Sequence, residues 1–242
     1  MKLDVAWVRS QLPDREIHWL DSIGSTMTEA SRLAEAGCPS GTVVGAEEQT
    51  AGIGRHGRSW HSEAGTGLYQ TIVLRPRFQA ESFPALTLAM GLAAREAILA
   101  ATGVECDLRW PNDLMIGHEK CGGILVNVEG AAAMAGIGIN VNHDVIPVEE
   151  ATSLRLASGR VHAREPILVA LLRRVDWWAA RPVAEVIGEF ERVSSFASGR
   201  RVSADGGETG TTAGLDEHGF LLLRRDNGEV VRILAGGVRP CS

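Results

Sequence analysis

Cysteine is scarce in this 242-residue chain, and none of the four present stands in a ligand spacing. Cys38, Cys106, Cys121 and Cys241 form no C-x-x-C pair, which excludes the common zinc-ribbon and thioredoxin-like patterns. A chain of this size needs no disulfide framework, so they read as free thiols, mostly small buried residues. Positive charge is also in deficit. With 24 Lys and Arg against 30 Asp and Glu the formal net charge is −6, which argues against a general nucleic-acid binder. No apolar run approaches the roughly 20 residues of a membrane span. The start, Met1-Lys2-Leu3-Asp4-Val5-Ala6-Trp7, lacks the continuous apolar core of a signal peptide, so the expected location is cytoplasmic. There is no internal repeat, no low-complexity segment, no flexible linker, no Walker A sequence and no proper G-x-G-x-x-G opening a helix.

What is present suits a globular protein. Apolar residues make up 45% and charged residues 22%, enough for one large domain with or without a small one. The pattern predicts a short helix over 3–12 closed by Pro13, and a strand over 16–21. Thr26 and Glu29 have the spacing of a capping box, opening a helix that Gly37 and Pro39 end. A strand is predicted over 42–46, a long glycine-bearing loop over 49–66 and a strand over 68–74. Leu86, Met90, Ala93 and Ala97 recur at helical spacing and predict the longest helix, 81–101. Strands are predicted over 106–110, 114–116, 121–128 and 133–141, then helices over about 164–180 and 182–194. Trp177 and Trp178 end the first of these and read as core or packing residues, with Arg173 and Arg174 on its solvated face. From about Gly199 short strands alternate with Asp-Gly-Gly, Glu-His-Gly and Asp-Asn-Gly turns, as in a small barrel. Helices and antiparallel-style strand runs interleave without strict βαβ alternation, so the main domain reads as α+β.

Four segments could carry chemistry. In 49–60 the glycines let backbone amides approach an anion, Arg55 and Arg58 supply guanidinium forks, and Trp60 offers a flat face to a base. The bland alternative is a mobile glycine-rich hairpin. In 109–113, Arg109-Trp110-Pro111-Asn112-Asp113 is good turn chemistry, but Asp113 also suits Mg²⁺ on a triphosphate beside the charge of Arg109. Lys120, opening a strand before Gly122 and Gly123, reads either as an edge charge or as an ammonium between a carboxylate and a phosphate. In 136–142 strand glycines mark close approach of another group, and Asn140 could read an adenine edge. Together the four describe a site where an anionic nucleotide meets a carboxylate.

Taken in order, Ser25-Thr26, 49–60, 109–114, 120–125 and 136–142 resemble the biotin–protein ligases, from about residue 17 to the C-terminus. The resemblance implies a mixed sheet with flanking helices of the class II aminoacyl-tRNA-synthetase and biotin-ligase kind over 1–195, and an SH3-like barrel over 196–242. It implies an ATP-dependent ligase that makes biotinyl-5'-AMP, aided by Mg²⁺, and passes biotin to a lysine of a biotin carboxyl carrier protein, a subunit of acetyl-CoA carboxylase. Lys120, Arg55 and Asp113 would be the catalytic charges. Ser25, Thr26, Gln49, Gly52, Arg55, Lys120 and Gly123 would hold biotin. Arg55, Arg58, Trp60, Arg109, Asn112, Asp113, Lys120 and Asn140 would hold ATP, with Asp113 on the metal. Two positions depart from the family pattern: Met27 stands where Asn is usual after Ser-Thr, and Ile53 replaces the first arginine of the glycine loop. About 16 residues precede the first expected core strand, too few for a winged helix-turn-helix, so a ligase without operator binding is expected; the resemblance is also compatible with a homodimer.

Three competing readings stay open. A lipoate–protein ligase or octanoyl transferase shares the catalytic fold, but an apolar acyl tail leaves Ser25, Thr26 and Gln49 without polar partners. A sensor that binds without turnover is favoured by Met27 and Ile53 and opposed by Lys120, Arg55 and Asp113. A metal hydrolase built on His56 and His61 fits no standard zinc spacing.

Overall fold

The computed structural model describes residues 2–76 and 83–241. A seven-stranded sheet forms the body of the molecule, in the order β1-β2-β3-β7-β6-β5-β4. Its strands are β1 (Ile17–Leu20), β2 (Val43–Ala46), β3 (Gly67–Leu74), β4 (Asp107–Arg109), β5 (Asp113–Ile116), β6 (Glu119–Glu129) and β7 (Ala132–Asn140). Only β1 and β2 run parallel; every other neighbouring pair is antiparallel, so the sheet is mixed and the α+β reading holds.

The helices sort by face. The chain opens on α1 (Val5–Gln11), whose N-cap Asp4 accepts from the Trp7 amide, and α1 packs on α5 (Arg164–Ala179). α3 (Phe83–Thr102) lies against α5 and α6 (Val183–Val193). Leu68, Ile72 and Leu74 of β3 join this side of the core, as their period of two demands. α2 (Thr26–Glu35) covers β2, β3 and β7, where Met27, Ala30, Val44, Val73, Ala132 and Met134 make a second, smaller apolar cluster.

Several expectations are corrected here. α3 has 20 residues and is long and apolar enough to cross a membrane by length and composition, so one apolar stretch does approach span length. It lies in the core, with 11 of its residues buried against α5, α6 and the sheet. Positions 81 and 82, expected to begin that helix, lie outside the described residues. The capping box does not form. Ser25 is the N-cap and makes no capping bond; the Thr26 hydroxyl instead serves Gln49 and Thr71, and Glu29 pairs with Arg32. A five-residue helix, α4 (Leu154–Ser158), has no counterpart in the sequence reading; Ser153 caps its start and Gly159, at φ 69°, ends it. Two of the four free thiols, Cys106 and Cys121, are buried; Cys38 and Cys241 are half-buried. Trp178 is in the core, whereas Trp177 is 40% exposed and stacks on Arg181.

A second, five-stranded antiparallel sheet follows: β8 (Ser198–Ala204), β9 (Thr209–Leu215), β10 (Leu221–Arg224), β11 (Val230–Ile233) and β12 (Val238–Pro240), ordered β11-β10-β9-β8-β12. It is fused to the body rather than tethered. Val202, Leu215, Leu221 and Val238 belong to the same continuous core as α3. The Trp110 indole donates to the Gly219 carbonyl at 3.0 Å, and the Leu215 amide to Glu191 at 2.6 Å.

Candidate active site

On the α2 face of the large sheet lies a cavity of about 310 Å³, the size of a small-ligand pocket. Glycine makes it possible. A Cβ at Gly138 would meet the Trp60 ring at 2.6–2.8 Å, and one at Gly123 would stand 3.2 Å from it. The indole therefore lies on bare backbone of β6 and β7, closing one wall, with Lys120 Nζ 5.5 Å from its centroid. Its Nε1–H is buried and has no hydrogen-bond partner among the described residues.

The loop over 52–60 is a small hairpin. Gly54 N donates to Arg58 O at 2.7 Å and Trp60 N to Gly52 O at 2.9 Å, around a 3₁₀ turn (Arg55–Gly57). Its tip turns through His56 and Gly57, at φ 56° and 72°. Arg55 points inward. Its Nη1 donates to Asn112 Oδ1 and to the Gly236 carbonyl, both at 3.0 Å, pinning the loop to the turn after β4 and to the small sheet. Burial pulls this guanidinium below its ordinary range, and the carboxylates of Asp113 and Asp205 counter that pull. Arg58 remains exposed at the mouth.

Beside Arg55 sits a charge cluster. The β4–β5 hairpin sets Arg109 opposite Asp113, whose Oδ2 accepts from Arg109 Nε and Nη2 at 3.1 and 2.8 Å. Lys120 on β6, opposite Met115 of β5, extends its ammonium to Asp113 Oδ1. One carboxylate thus holds two cations at the cavity wall, with 14–29% of each side chain exposed. Asn112 completes the turn through its amide to Ile124 O at 3.0 Å.

A polar corner carries the remaining groups. Gln49 Oε1 accepts from the Thr26 amide at 2.9 Å and its hydroxyl at 3.0 Å, while Gln49 Nε2 donates to Ser62. Ser25 Oγ is buried without a partner among the described residues. Tyr69 stands in the wall, and burial pushes its phenol up to about 12, so it stays protonated at neutral pH. Asn140 lines the cavity and donates Nδ2 to Thr152 O at 3.0 Å.

Of the residues singled out in the sequence, Ser25, Thr26, Gln49, Arg55, Arg58, Trp60, Arg109, Asn112, Asp113, Lys120, Gly123 and Asn140 all line this one cavity. Gly52 does not. It is buried behind the wall, where a Cβ would strike the Trp60 carbonyl at 2.6 Å, so its role is to let the hairpin neck close. Met27, which departs from the family pattern, both lines the cavity and joins the apolar cluster under α2, its Cε 2.9 Å from a Cβ placed at Gly136. Ile53 lies 46% exposed at the rim. Sequence reasoning missed Asp205, Val238 and Arg239, which the small sheet contributes to the same cavity; no local pattern marks them.

The profile of the biotin/lipoate A/B protein ligase family matches residues 19–144. The biotin--[acetyl-CoA-carboxylase] ligase of Mycobacterium tuberculosis is 32% identical, over 98% of this chain and 95% of that protein. The bifunctional ligase/repressor BirA of Bacillus spizizenii is 34% identical, over 91% of this chain and 73% of that protein. The structure of the biotin protein ligase of Aquifex aeolicus in complex with biotin and ATP superposes with a TM-score of 0.81 at 32% identity, covering 93% of this chain and 99% of that one. With this sheet order, this cavity and these relatives, the chain belongs to the biotin/lipoate A/B protein ligase family.

Proposed function

We propose that the chain is a biotin–protein ligase, joining biotin to ATP as the adenylate and then passing it to a lysine of a biotin carboxyl carrier domain of the acetyl-CoA carboxylase type. The observation that carries this is the Arg109–Asp113–Lys120 cluster, with Arg55 beside it, in the same cavity as the polar corner of Ser25, Thr26 and Gln49. In the first step a biotin carboxylate oxygen attacks the α-phosphorus of ATP and the bond to pyrophosphate breaks. Two anions must meet for that. Lys120 and Arg55 supply preorganised positive charge where negative charge accumulates. In the second step the carrier amine attacks the acyl carbon, the acyl–phosphate bond breaks and AMP leaves. Between the steps, the hairpin pinned by Arg55 and the Trp60 wall shield the anhydride from water.

Mg²⁺ as a ligand of Asp113 does not fit the arrangement well, because Lys120 takes Oδ1 and Arg109 takes Oδ2. The small antiparallel sheet supports reading 196–242 as an SH3-like barrel domain. The formal net charge of −6 over the 242 residues supports a ligase without operator binding.

Biotin rather than lipoate is favoured by the buried Ser25 hydroxyl, which has no partner among the described residues and which an apolar tail cannot satisfy. The test is exchange of labelled pyrophosphate into ATP with biotin, lipoate and octanoate in parallel. Biotin-dependent exchange is expected. Exchange with lipoate alone would move the chain to the lipoate branch, and silence with all three would overturn the ligase reading.

Gly138→Ala tests the wall. Its methyl must push the Trp60 ring into the cavity, and such overpacking costs about 1–3 kcal/mol, so KM for ATP or biotin should rise about tenfold or more. Unchanged steady-state kinetics would show that the ring has room to move.

A further inference from the structure

Between Trp60 and β3 the chain carries His61 and Glu63, two residues apart and both exposed. Next to them stands His143, from the segment just after β7, fully buried. The His61 and His143 rings are 5.9 Å apart at 51°. One ligand atom from each of His61, Glu63 and His143 lies within 4.8 Å of the others. Sequence spacing gave no sign of this, since His143 is 80 positions from Glu63.

A satisfied core histidine would be the ordinary explanation for His143, and it accounts for half of the ring. Nε2 meets the Thr66 hydroxyl at 2.8 Å and the Tyr69 hydroxyl at 3.0 Å. Nδ1 is buried and has no partner among the described residues. A buried ring nitrogen left alone costs free energy that a ligand would recover. In histidine metal sites one ring nitrogen binds the ion while the other is fixed by a hydrogen-bonding neighbour, the position Thr66 and Tyr69 occupy here. Two imidazoles and a carboxylate suit a borderline divalent cation, with a fourth position left open. They do not suit Mg²⁺, which prefers oxygen ligands and retained water. Because His61 and Glu63 are exposed, side-chain rotation can draw the three ligand atoms together.

We propose that His61, Glu63 and His143 form a binding site for a borderline divalent cation, best matched by Zn²⁺. The site is distinct from the Asp113 cluster. Since His61 also lines the cavity, an ion there ties the segment leaving Trp60 to the end of β7 and adds positive charge beside the nucleotide cavity.

The full chain, stripped with chelator, is titrated with Co²⁺ and its visible d–d bands are recorded. One Co²⁺ per chain is expected, displaced by Zn²⁺ and not by Mg²⁺. His61→Ala should abolish the bands and Glu63→Gln should weaken binding about tenfold or more. Both substitutions are at exposed positions, and circular dichroism checks that the fold is retained. Absence of bands in the parent chain, bands that survive His61→Ala, or a sulfur-to-cobalt charge-transfer band would each overturn the assignment.

Discussion

Replacing Lys120 with alanine is expected to slow biotin-dependent pyrophosphate exchange by about two to three decades while leaving the fold intact. The fold survives because Lys120 is held by its backbone: its amide donates to Glu150 O at 2.7 Å and its carbonyl accepts from Thr152 at 2.9 Å. Asp113 keeps Arg109 at 2.8 Å when the ammonium is gone, so no buried carboxylate is stranded. What disappears is charge aimed at the reacting groups, which should appear mainly in kcat. Lys120→Arg restores the charge but not its position, because a planar fork cannot occupy the place of an ammonium between Asp113 and the Trp60 face. Its recovery should therefore be partial. Near-normal exchange in Lys120→Ala, with unchanged thermal unfolding, would remove Lys120 from the mechanism.

How much of this was readable beforehand depends on the range of the interaction. Helix α3 follows from four apolar residues at helical spacing, and the strand pairs of the large sheet follow from short apolar runs between turn residues. The Asp113–Arg109 pair was within reach because a hairpin makes near neighbours into cross-strand partners. The glycines of β6 and β7 announced a close approach, and the group that approaches proved to be Trp60. Three-dimensional contacts decided the rest. Arg55 reaches Gly236 across 181 positions, and nothing local marks either residue for the other. Thr26 looked like half of a capping box and became a partner of Gln49 and Thr71, because tertiary hydrogen bonds outbid a local one. α4 and β12, at five and three residues, are too short to show a period.

The largest loss of stability is expected at a pair the sequence gives no reason to connect. Glu47 directly follows β2 and Arg164 opens α5; they meet at 2.8 Å with only 5% and 4% of their side chains exposed. Glu47 Oε1 also accepts from the Leu3 amide and the Trp19 indole, both at 2.9 Å, and Arg164 Nη1 donates to the Gly67 carbonyl at 2.9 Å. The pair therefore joins the N-terminal segment, β1, β3 and α5. Removing one member strands the other, so Arg164→Leu should cost about 3–5 kcal/mol, a large share of the 5–15 kcal/mol typical of a domain. The double variant Glu47→Leu, Arg164→Leu should be less destabilised than the sum of the singles, since no buried charge remains. Urea unfolding of the four proteins measures this cycle, and additive losses would show that the charges do not interact. The same pair sets an acid limit. Burial alone would raise the Glu47 carboxyl, but the Leu3 amide, Arg164 and the Trp19 indole outweigh it and hold it below its ordinary value of 4.5. A carboxyl depressed on folding contributes stability that is fully present above that value and is lost as pH falls through its lower folded value. The parent chain should therefore lose stability below about pH 4.5, and in Glu47→Gln, which cannot titrate there, that part of the acid dependence should vanish.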